Sequence, residues 1–541
     1  MKDPSNRFTK AERSWILYYW ANSAHTTVIV AAILPIYFAA VAGGQGVNGD
    51  IWWGYGTSLA TFAAALLAPL LGSIGDYQGM KKRLFTIFLG IALFATLLIA
   101  LVDDWRLMLV GYVLSYFSYT VTNLFYDSFL TDVTTPDRMD RVSTYGYGFG
   151  YIGGSTIPFI VAIAMIQLHG SIGITNSMAV KLSILLTVAW WFLFSLPMIR
   201  NVHQVHFDPK PAHVMQNSFS RIARTFLGIM SRRAMFLFML AYFFYIDGVN
   251  TVIHMATSYG AVLGLDTTGM ILALLVTQLV AFPFAILFGR LARVVGAVRM
   301  ISIAIAVYTV ICLLGFYMGH SLETPQGQYI EGFRNHIQAK AAIVGVARFE
   351  SEASQQAFTQ MVDDTVTRSV GPLSSNKRAD LFADRLDERG AEARPAFADR
   401  NEGDAFDKAL EAVRADASAY LADTARAAPL DRAVAFSTTL FWILAALVGT
   451  CQGGIQALSR SFFGKLVPPE KSNEYFGFFD IFGKFAAVLG PALYGVIAGL
   501  TGRSSYGILS VIALFLIGGV FMFLGRKDMV EAERRGREQP A

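Results

Sequence analysis

The sequence predicts an all-α membrane protein with twelve transmembrane helices. Only 15% of its 541 residues are charged and 54% are hydrophobic, whereas soluble chains carry about 25% charged residues. The alternating pattern of a membrane barrel is absent, and helices satisfy their own backbone groups inside hydrocarbon. Twelve apolar runs reach the roughly 20 residues that a spanning helix needs. They lie near 14–42, 51–73, 84–102, 106–126, 142–168, 176–198, 235–264, 268–289, 300–318, 433–457, 476–500 and 505–525.

The composition also excludes several other classes of protein. A disordered chain, a coiled coil and an ordinary cytosolic enzyme do not fit so apolar a chain. Cys312 and Cys451 both lie in apolar runs, so neither a disulfide framework nor a cysteine-based metal site is expected. No ATP-binding motif, cofactor site or nucleic-acid patch is found. We therefore expect a protein that is not an enzyme and that uses no cofactor, metal or nucleic acid.

Lysine and arginine concentrate in alternate short loops. With the N-terminus inside, the short loops of that side hold 26 basic residues, and the opposite short loops hold two, Arg106 and Arg503. Cytoplasmic loops of membrane proteins carry the excess of basic residues. We therefore expect a multi-pass protein of the bacterial cytoplasmic (inner) membrane with both termini in the cytoplasm.

One segment, residues 320–432, is polar and acidic. It holds 14 Lys and Arg residues against 19 Asp and Glu residues, and no run within it could span a membrane. It falls on the outer side, because long loops translocate largely regardless of charge. Its amphipathic pattern predicts a small helical extracytoplasmic insertion. Residues 330–425 of it contain no Cys and a single His, His336, so the segment is not expected to be a hydrolase. Docking a protein partner or capping the bundle is the expected role.

Three internal matches indicate two parallel, pseudo-symmetric halves of six helices each. The matched segments are 18–29 with 242–253 (offset 224), 72–79 with 289–296 (offset 217) and 128–150 with 461–483 (offset 333). The offset increases by about 110 residues between spans nine and ten, which is the size of the insertion. The predicted domains are the N-terminal half 1–198, a cytoplasmic linker 199–234, helices seven to nine 235–319, the insertion 320–432, helices ten to twelve 433–525 and a cytoplasmic tail 526–541.

A glycine-rich, charged turn joins spans two and three. Its glycines let the two helix ends approach, and its Asp can pair with basic groups or with a helix N-terminus. Its cations are expected to stay at the cytoplasmic surface. The residues are Gly72, Asp76, Gly79, Lys81, Lys82 and Arg83. A turn that only sets topology is the alternative, which a degenerate copy at 289–299 disfavours.

This turn resembles the signature of the major facilitator superfamily, Gly-x-x-x-Asp-x-x-Gly-Arg-Lys-x. The resemblance implies the major facilitator fold and a cytoplasmic gate that rests mainly on the first half, because Arg293 replaces Asp in the second copy. Other segments are similar to the vacuole-effluxer-like family of autophagy-related amino-acid effluxers. They are residues 19–24, 245–253, 452–461 and 476–491. Autophagy-linked members export amino acids from vacuoles, whereas bacterial members share no settled cargo.

Polar residues inside the spans are the candidate transport residues, since a charge near the bilayer centre costs at least about 2.5 kcal/mol. Asp247 lies mid-span in span seven, with Asn250 one turn on. Asn22 and His25 lie one turn apart in span one. The resemblance implies that both helices line a central cavity. Asp247 is a candidate proton-coupling carboxylate; alternatively, a neighbouring His, Lys or backbone group holds it without a transport role. His25 is expected to be a packing residue more often than a proton carrier.

Asp480 and Lys484 are spaced i, i+4 in span eleven and can pair on one helix face. Family members commonly keep the Lys, so the resemblance favours Lys484 for contact with an anion or carboxylate and Asp480 as local compensation. Gln452 and Gln456 either line the cavity or form interhelical hydrogen bonds.

Together, these observations predict a secondary transporter that works by alternating access. The main hypothesis is proton-coupled export of an amino acid or another small polar solute by a monomer, with Asp247 for coupling and Lys484 with Asn22 for substrate contact. Export of amphiphilic or lipid-like compounds is one alternative. A non-transporting receptor or assembly factor that acts through 320–432 is another.

Overall fold

The computed structural model describes residues 7–210, 214–369, 375–397 and 399–538. Within these ranges, twelve helices are long and apolar enough to cross a membrane, which confirms the predicted fold class. The first half consists of α1 (Lys10–Gly44), α2 (Gly49–Gly75), α3 (Met80–Leu101), α4 (Trp105–Val133), α5 (Met139–Gln167) and α6 (Asn176–Asn201). The rest consists of the linker helix α7 (Val214–Ser231), then α8 (Arg233–Val262), α9 (Thr267–Val295), α10 (Ala297–Arg348), α11 (Glu352–Ser369), α12 (Ser375–Ala393), α13 (Arg400–Ala422), α14 (Thr424–Leu466), α15 (Ser472–Thr501), α16 (Ser504–Leu524) and α17 (Arg526–Glu538).

Aromatic side chains fill the core of the first half. Helix α1 packs along α5 and α6, and α4 packs against α2 and α3. Trp15 and Tyr18 of α1 are buried with Phe85 of α3 and Tyr126 of α4. Aromatic pairs at this spacing add to the stabilisation that burial provides. The first half is therefore a packed body in its own right.

Two π-helical turns occur where α1 and α5 cross, at Thr26–Ala32 and Gly150–Thr156. Such turns interrupt the regular hydrogen bonding of a helix. Gly153 lies under the Trp20 ring, and a Cβ at this glycine would overlap the indole. The glycines of α5 therefore permit a close approach of two helices.

The second half repeats this arrangement with α8 to α10 and α14 to α16. Helix α8 packs on α15 and α16, and α14 packs on α9 and α10. The Tyr308 ring stacks on Phe515, and Phe238 contacts Phe462 edge to face. These four side chains are almost fully buried in one core.

The insertion is continuous with the transmembrane helices on both sides. Helix α10 has 52 residues and α14 has 43, so α10 extends about 78 Å at 1.5 Å per residue. Its distal part joins α11, α12 and α13 in a separate helical bundle. Phe333, Ile337, Phe358, Leu386 and Val413 are buried in the core of this bundle. The insertion is therefore helical and independently packed, as predicted.

The two halves meet at one end of the bundle. Twelve spans lie between Lys10, where α1 begins, and Leu524, where α16 ends, so these two ends lie on the same side, which we call the termini side. The opposite side, which carries the insertion, is the insertion side. Helix α2 contacts α15, and α5 contacts α9 and α14. Gly72 faces the backbone of Asn473, and Gly477 faces the backbone of Ala68. All four residues lie near the termini side, where the halves are closed against each other.

Candidate functional site

Asp76 caps a helix of the opposite half. Its carboxylate accepts hydrogen bonds from the backbone N–H groups of Asn473 (2.9 Å) and Glu474 (3.1 Å), at the start of α15. The amide of Asn473 donates another at 2.8 Å. Negative groups are favoured at this end of a helix dipole. Burial raises the pKa of Asp76 to about 7, although the positive charge of Lys81 and the bonds from Asn473 lower it. Asp76 thus ties α15 to the turn after α2.

Two glycines of the same turn have different roles. A Cβ at Gly72 would overlap the backbone carbonyl of Asn473. Gly79 precedes α3 with a φ of 72°, in the left-handed region that glycine adopts without strain. The sequence analysis expected these glycines to let the ends of α2 and α3 approach each other, whereas Gly72 contacts α15 of the opposite half and a Cβ at Gly79 would have no atom within 4 Å.

Lys81 corrects one expectation. Its side chain is fully buried rather than at the surface, and Nζ lies 2.6 Å from Asp132 Oδ2. The same Nζ donates to Ser472 Oγ at 2.9 Å, so Lys81 also joins the two halves. Burial of an ammonium group requires such a partner, and Asp132 supplies it. Arg83 is exposed, and Lys82 lies 3.2 Å from His203 Nδ1, so these two cations remain near the surface.

Two further contacts between the halves are related by the repeat. Ser128 donates to the Asn473 side chain, and Ser461 donates to Asp140 at 2.7 Å. Ser461 follows Ser128 by 333 positions, and Asn473 follows Asp140 by the same offset. Lys465 Nζ also lies 2.5 Å from Asp140. We call the contacts described so far, centred on Asp76, Lys81, Asp140, Lys465 and Asn473, the termini-side gate.

Arg460 and Asp127 form a salt bridge between the halves that the sequence analysis missed. The guanidinium of Arg460 donates to Asp127 at 2.8 Å and to Ser143 Oγ at 3.0 Å. Its centre lies 4.6 Å from the Trp15 ring and 4.6 Å from the Tyr147 ring. The offset of 333 relates Asp127 to Arg460, so the repeat could have identified this pair.

Asp480 and Lys484 form the predicted ion pair on α15. Their side chains are 24% and 17% exposed, unlike the buried residues of the gate. Both lie within electrostatic range of Asp127, whose side chain is 28% exposed. These three partly exposed charges therefore lie between the halves, toward the insertion side of the gate, and we call the solvent-accessible space beside them the central cavity.

Asn22 lies beside this region, and its amide donates to Asn123 Oδ1 of α4 at 2.6 Å. One turn further along α1, the exposed Thr26 hydroxyl meets Tyr119 at 2.6 Å. Asn250 and Gln456 are partly exposed. A second set of polar groups therefore extends from the charged residues toward the insertion side.

Gln452 lies deeper than Gln456, and its side chain is buried. It interacts with Tyr151 of the first half. Tyr151 also packs against Gly453, the neighbour of Gln452. Gln452 also lines a mainly apolar cavity inside the second half, so both roles predicted for this glutamine have support in the geometry.

His25 is fully buried inside the first half. Its Nε2 lies 2.8 Å from Ser115 Oγ, which in turn meets Thr96 at 2.7 Å. The ring stacks on Tyr119 and contacts Trp191. This environment favours the packing interpretation of His25.

Asp247 is also fully buried, at the contact of α8 with α15. Its Oδ1 accepts the backbone N–H of Gly490 at 2.9 Å. A Cβ at Gly490 would overlap the Thr251 hydroxyl and crowd the Asp247 carboxylate. Pro491 follows, where α15 lacks a backbone donor. Both interpretations of Asp247 therefore have support. A backbone group holds its carboxylate, as in a purely structural role, and the contact lies beside Pro491, where α15 lacks a backbone hydrogen bond, as a coupling role would need.

Comparison with known proteins places the chain in a family. A model described as "Vacuole effluxer Atg22 like" matches residues 53–333 and 437–538. An MFS-type transporter of Bacillus subtilis (strain 168), YxiO, is 36% identical over 542 residues, which is 99% of either chain. Autophagy-related protein 22 of Cryptococcus neoformans is 31% identical over 103 residues, 18% of this chain and 19% of that protein.

Solved structures share the fold. A bacterial homologue of the iron transporter ferroportin in an outward-facing state has a TM-score of 0.53 at 12% identity, covering 96% of this chain and 98% of that one. FucP, a Major Facilitator Superfamily transporter in an outward conformation, has the same TM-score and identity, covering 95% and 97%. The chain is a multi-pass membrane transporter rather than an enzyme, and it belongs to the Atg22-like vacuole effluxer family of MFS-type transporters.

Proposed function

We propose that the protein exports a small zwitterionic or polar solute, with amino acids as the first candidates, by proton-coupled alternating access. The observation that carries this proposal is the partly exposed Lys484 between the halves, held by Asp480 on its own helix. A substrate carboxylate can share the ammonium group of Lys484 with Asp480, so that neither carboxylate is left without a cation. Asn22 is the proposed neutral contact on the opposite half, where it is buried and its amide donates to Asn123. The family description, vacuole effluxer, supports export.

The closed gate supports an orientation. If the termini are cytoplasmic, as the basic loops indicate, the present arrangement is closed to the cytoplasm. Transport then requires the contacts of Asp76, Lys81 and Lys465 to separate while the insertion side closes. The linker helix α7 joins the halves during this motion, and Arg221 on it lies 3.1 Å from Glu474 of α15.

Asp247 is the proposed proton-coupling group. Its carboxylate holds α8 to α15 through the N–H of Gly490. Protonation weakens a carboxylate as a hydrogen-bond acceptor. Loss of that bond beside Pro491 would let the two helices shift, which couples proton binding to the motion of the second half.

Export of amphiphilic compounds is the second candidate. A cavity of about 110 Å³ lies inside the second half, and its lining is mainly apolar. Val252, Met255, Leu274, Phe441 and Ile508 are among its lining residues. Such a cavity suits an acyl chain or an aromatic ring better than it suits a zwitterion.

A thermal-shift screen of the purified protein separates these candidates. The panel contains amino acids, peptides, sugars, organic anions and lysolipids, each at about pH 5.5 and about pH 7.5, because a ligand that binds the folded state raises its melting temperature. Stabilisation of the wild type but not of Lys484→Ala by an amino acid supports the proposal. Stabilisation by lysolipids alone, unaffected by Lys484→Ala, supports the second candidate instead.

A further inference from the structure

We propose that Oδ2 of Asp127, the oxygen that Arg460 does not hold, binds the positively charged amino group of the substrate, and that sharing this carboxylate weakens its hold on Arg460 and loosens the termini-side gate. The inference rests on the proposed zwitterionic substrate, for which Lys484 supplies the other charge. It assigns a cation subsite and a link between occupancy and opening, an equilibrium coupling that acts whichever side of the membrane the substrate enters from.

The first support is the symmetry of the pair. Asp127 and Arg460 occupy equivalent positions of the repeat, at an offset of 333, in α4 and α14. The next residue in each half, Ser128 or Ser461, makes an equivalent gate contact with the other half. The repeat thus places opposite charges where the two halves face each other, directly beside the gate.

The second support is the unequal burial of the two partners. The Arg460 side chain is 2% exposed and that of Asp127 is 28% exposed. Arg460 Nη1 meets Asp127 Oδ1, and the described residues place no hydrogen-bond donor on Oδ2. An ammonium group can therefore approach Asp127 from the cavity while Arg460 holds the other oxygen.

The third support is the environment of Arg460. Beyond Asp127, its guanidinium donates to Ser143 Oγ and to the Ser143 carbonyl at 3.2 Å. Four aromatic rings surround it at 4.6 to 5.5 Å, from Trp15, Tyr19, Tyr126 and Tyr147. Cation–π contacts and these hydrogen bonds keep a buried guanidinium stabilised when its carboxylate is shared. Arg460 can thus exchange part of its contact with Asp127 at low cost.

The charges that face Asp127 favour a zwitterion over a simple cation. Arg460 approaches from α14, and Asp480 and Lys484 act on it from α15. These two ion pairs are neutral together, so a lone cation would leave a net positive site. A zwitterion preserves neutrality when its amino group binds Asp127 and its carboxylate binds Lys484.

The link to the gate runs through neighbouring residues. Ser143, which holds Arg460, also donates to the Ala457 carbonyl of α14 at 2.7 Å. Ser461, next to Arg460, donates to Asp140. A shift of Arg460 away from Asp127 therefore strains contacts on both sides of it.

The subsite is tested by binding measurements on the full chain in detergent. One probe is the free proteinogenic amino acid that stabilises the wild type most in the thermal-shift screen. The other is the analogue of that amino acid in which hydrogen replaces the amino group. We expect Asp127→Asn to lower affinity for the amino acid about tenfold or more, with affinity for the analogue unchanged. Asp137→Asn, the same change at an exposed Asp of the first half, is the control and should retain the preference for the amino acid. Equal preference in Asp127→Asn and wild type overturns the subsite.

The link to the gate is tested by spin-label distances between Asp137→Cys and Glu470→Cys. These exposed positions are equivalent in the repeat, and the two native cysteines are buried. We expect the amino acid to lengthen the distance in the wild type. Asp127→Asn should show the longer distance without any amino acid and no further response. An Asp127→Asn protein that behaves like the wild type contradicts the link.

A charge exchange keeps the test valid if Asp127→Asn does not fold. The double variant Asp127→Arg with Arg460→Asp restores the salt bridge but presents a guanidinium to the cavity. It should recover the short label distance and still fail to prefer the amino acid over its analogue.

If no amino acid binds the wild type, the proposed function fails, and the label distances still decide whether Asp127 and Arg460 hold the gate closed. A double variant that discriminates like the wild type contradicts the assignment.

Discussion

The two halves repeat one fold but divide its charges differently. In the first half, Asp76 follows α2 and caps α15 of the other half. In the second half, the equivalent Arg293 is exposed, and the N-terminal part of α5 is held instead by Lys465 through Asp140. The two halves therefore share their fold, whereas the charged residues that make the ionic contacts of the gate differ between them. The closed state depends on complementary residues at related positions rather than on two copies of one motif.

The largest expected difference between the halves concerns Gly72 and its equivalent, Gly289. A Cβ at Gly72 would overlap the Asn473 backbone, whereas one at Gly289 would meet the movable Thr144 side chain. Gly72→Ala should disfavour the closed state by about 1–3 kcal/mol, which is about five- to 150-fold in the closed-to-open ratio. Label distances across the gate measure this ratio. Equal effects of Gly72→Ala and Gly289→Ala would show that the first half has no special part in closure.

A second comparison concerns Lys484 and its equivalent, Tyr151. Lys484→Ala should weaken amino-acid binding about tenfold or more, because a charge-assisted contact is lost. Tyr151→Phe removes only a neutral hydroxyl and should change affinity at most about fivefold. Isothermal titration of both variants measures the difference. Similar losses in the two would argue against a charged contact with substrate.

The carboxyl group of Asp76 should make closure of the termini-side gate depend on pH. In the closed state, burial outweighs the effects of Lys81 and of the hydrogen bonds from Asn473 and raises the pKa of Asp76 to about 7, so a more solvated open state binds the proton less tightly. Acidification should then favour closure, by at most about tenfold per pH unit below 7. Relative to the unfolded chain, this stabilisation is present at low pH and is lost as pH rises through about 7. Asp76→Asn should flatten the dependence of label distances on pH, and an unchanged slope would assign it to another group.

The smallest effect on transport is expected at His25, whose equivalent in the second half is the buried Val249. His25→Leu removes the hydrogen bond to Ser115 and should destabilise the protein by about 1–2 kcal/mol. Transport and its pH profile should persist, because the ring lies away from the cavity. A stable variant without transport would reinstate His25 as a proton carrier.

The fold was predictable because the helices are long and apolar, and twelve spans were predicted and found. Helix ends were less predictable where polar sequence continues a helix. The run near 300–318 became α10, which extends to Arg348, because the bundle core of Phe333 and Ile337 stabilises it beyond the apolar segment. Hydropathy identifies the segments that can cross a membrane, but it does not show how far a helix extends into a polar insertion.

The site was only partly predictable. Asp480 and Lys484 were paired correctly because i, i+4 spacing is local. The burial of Lys81 and Arg460 was missed, since each depends on a partner that only the folded chain brings close. The repeat offset would have linked Asp127 to Arg460, although it could not show that the two positions meet.

Transport in proteoliposomes with an imposed pH gradient tests the central claim most directly. The measurement follows a radiolabelled amino acid chosen by the binding screen, in wild type and in Asp247→Asn. The account predicts gradient-driven transport by the wild type, and exchange without gradient-driven accumulation by Asp247→Asn. A folded wild type that binds the amino acid but moves none of it, or an Asp247→Asn protein that still accumulates it against the gradient, would contradict the account.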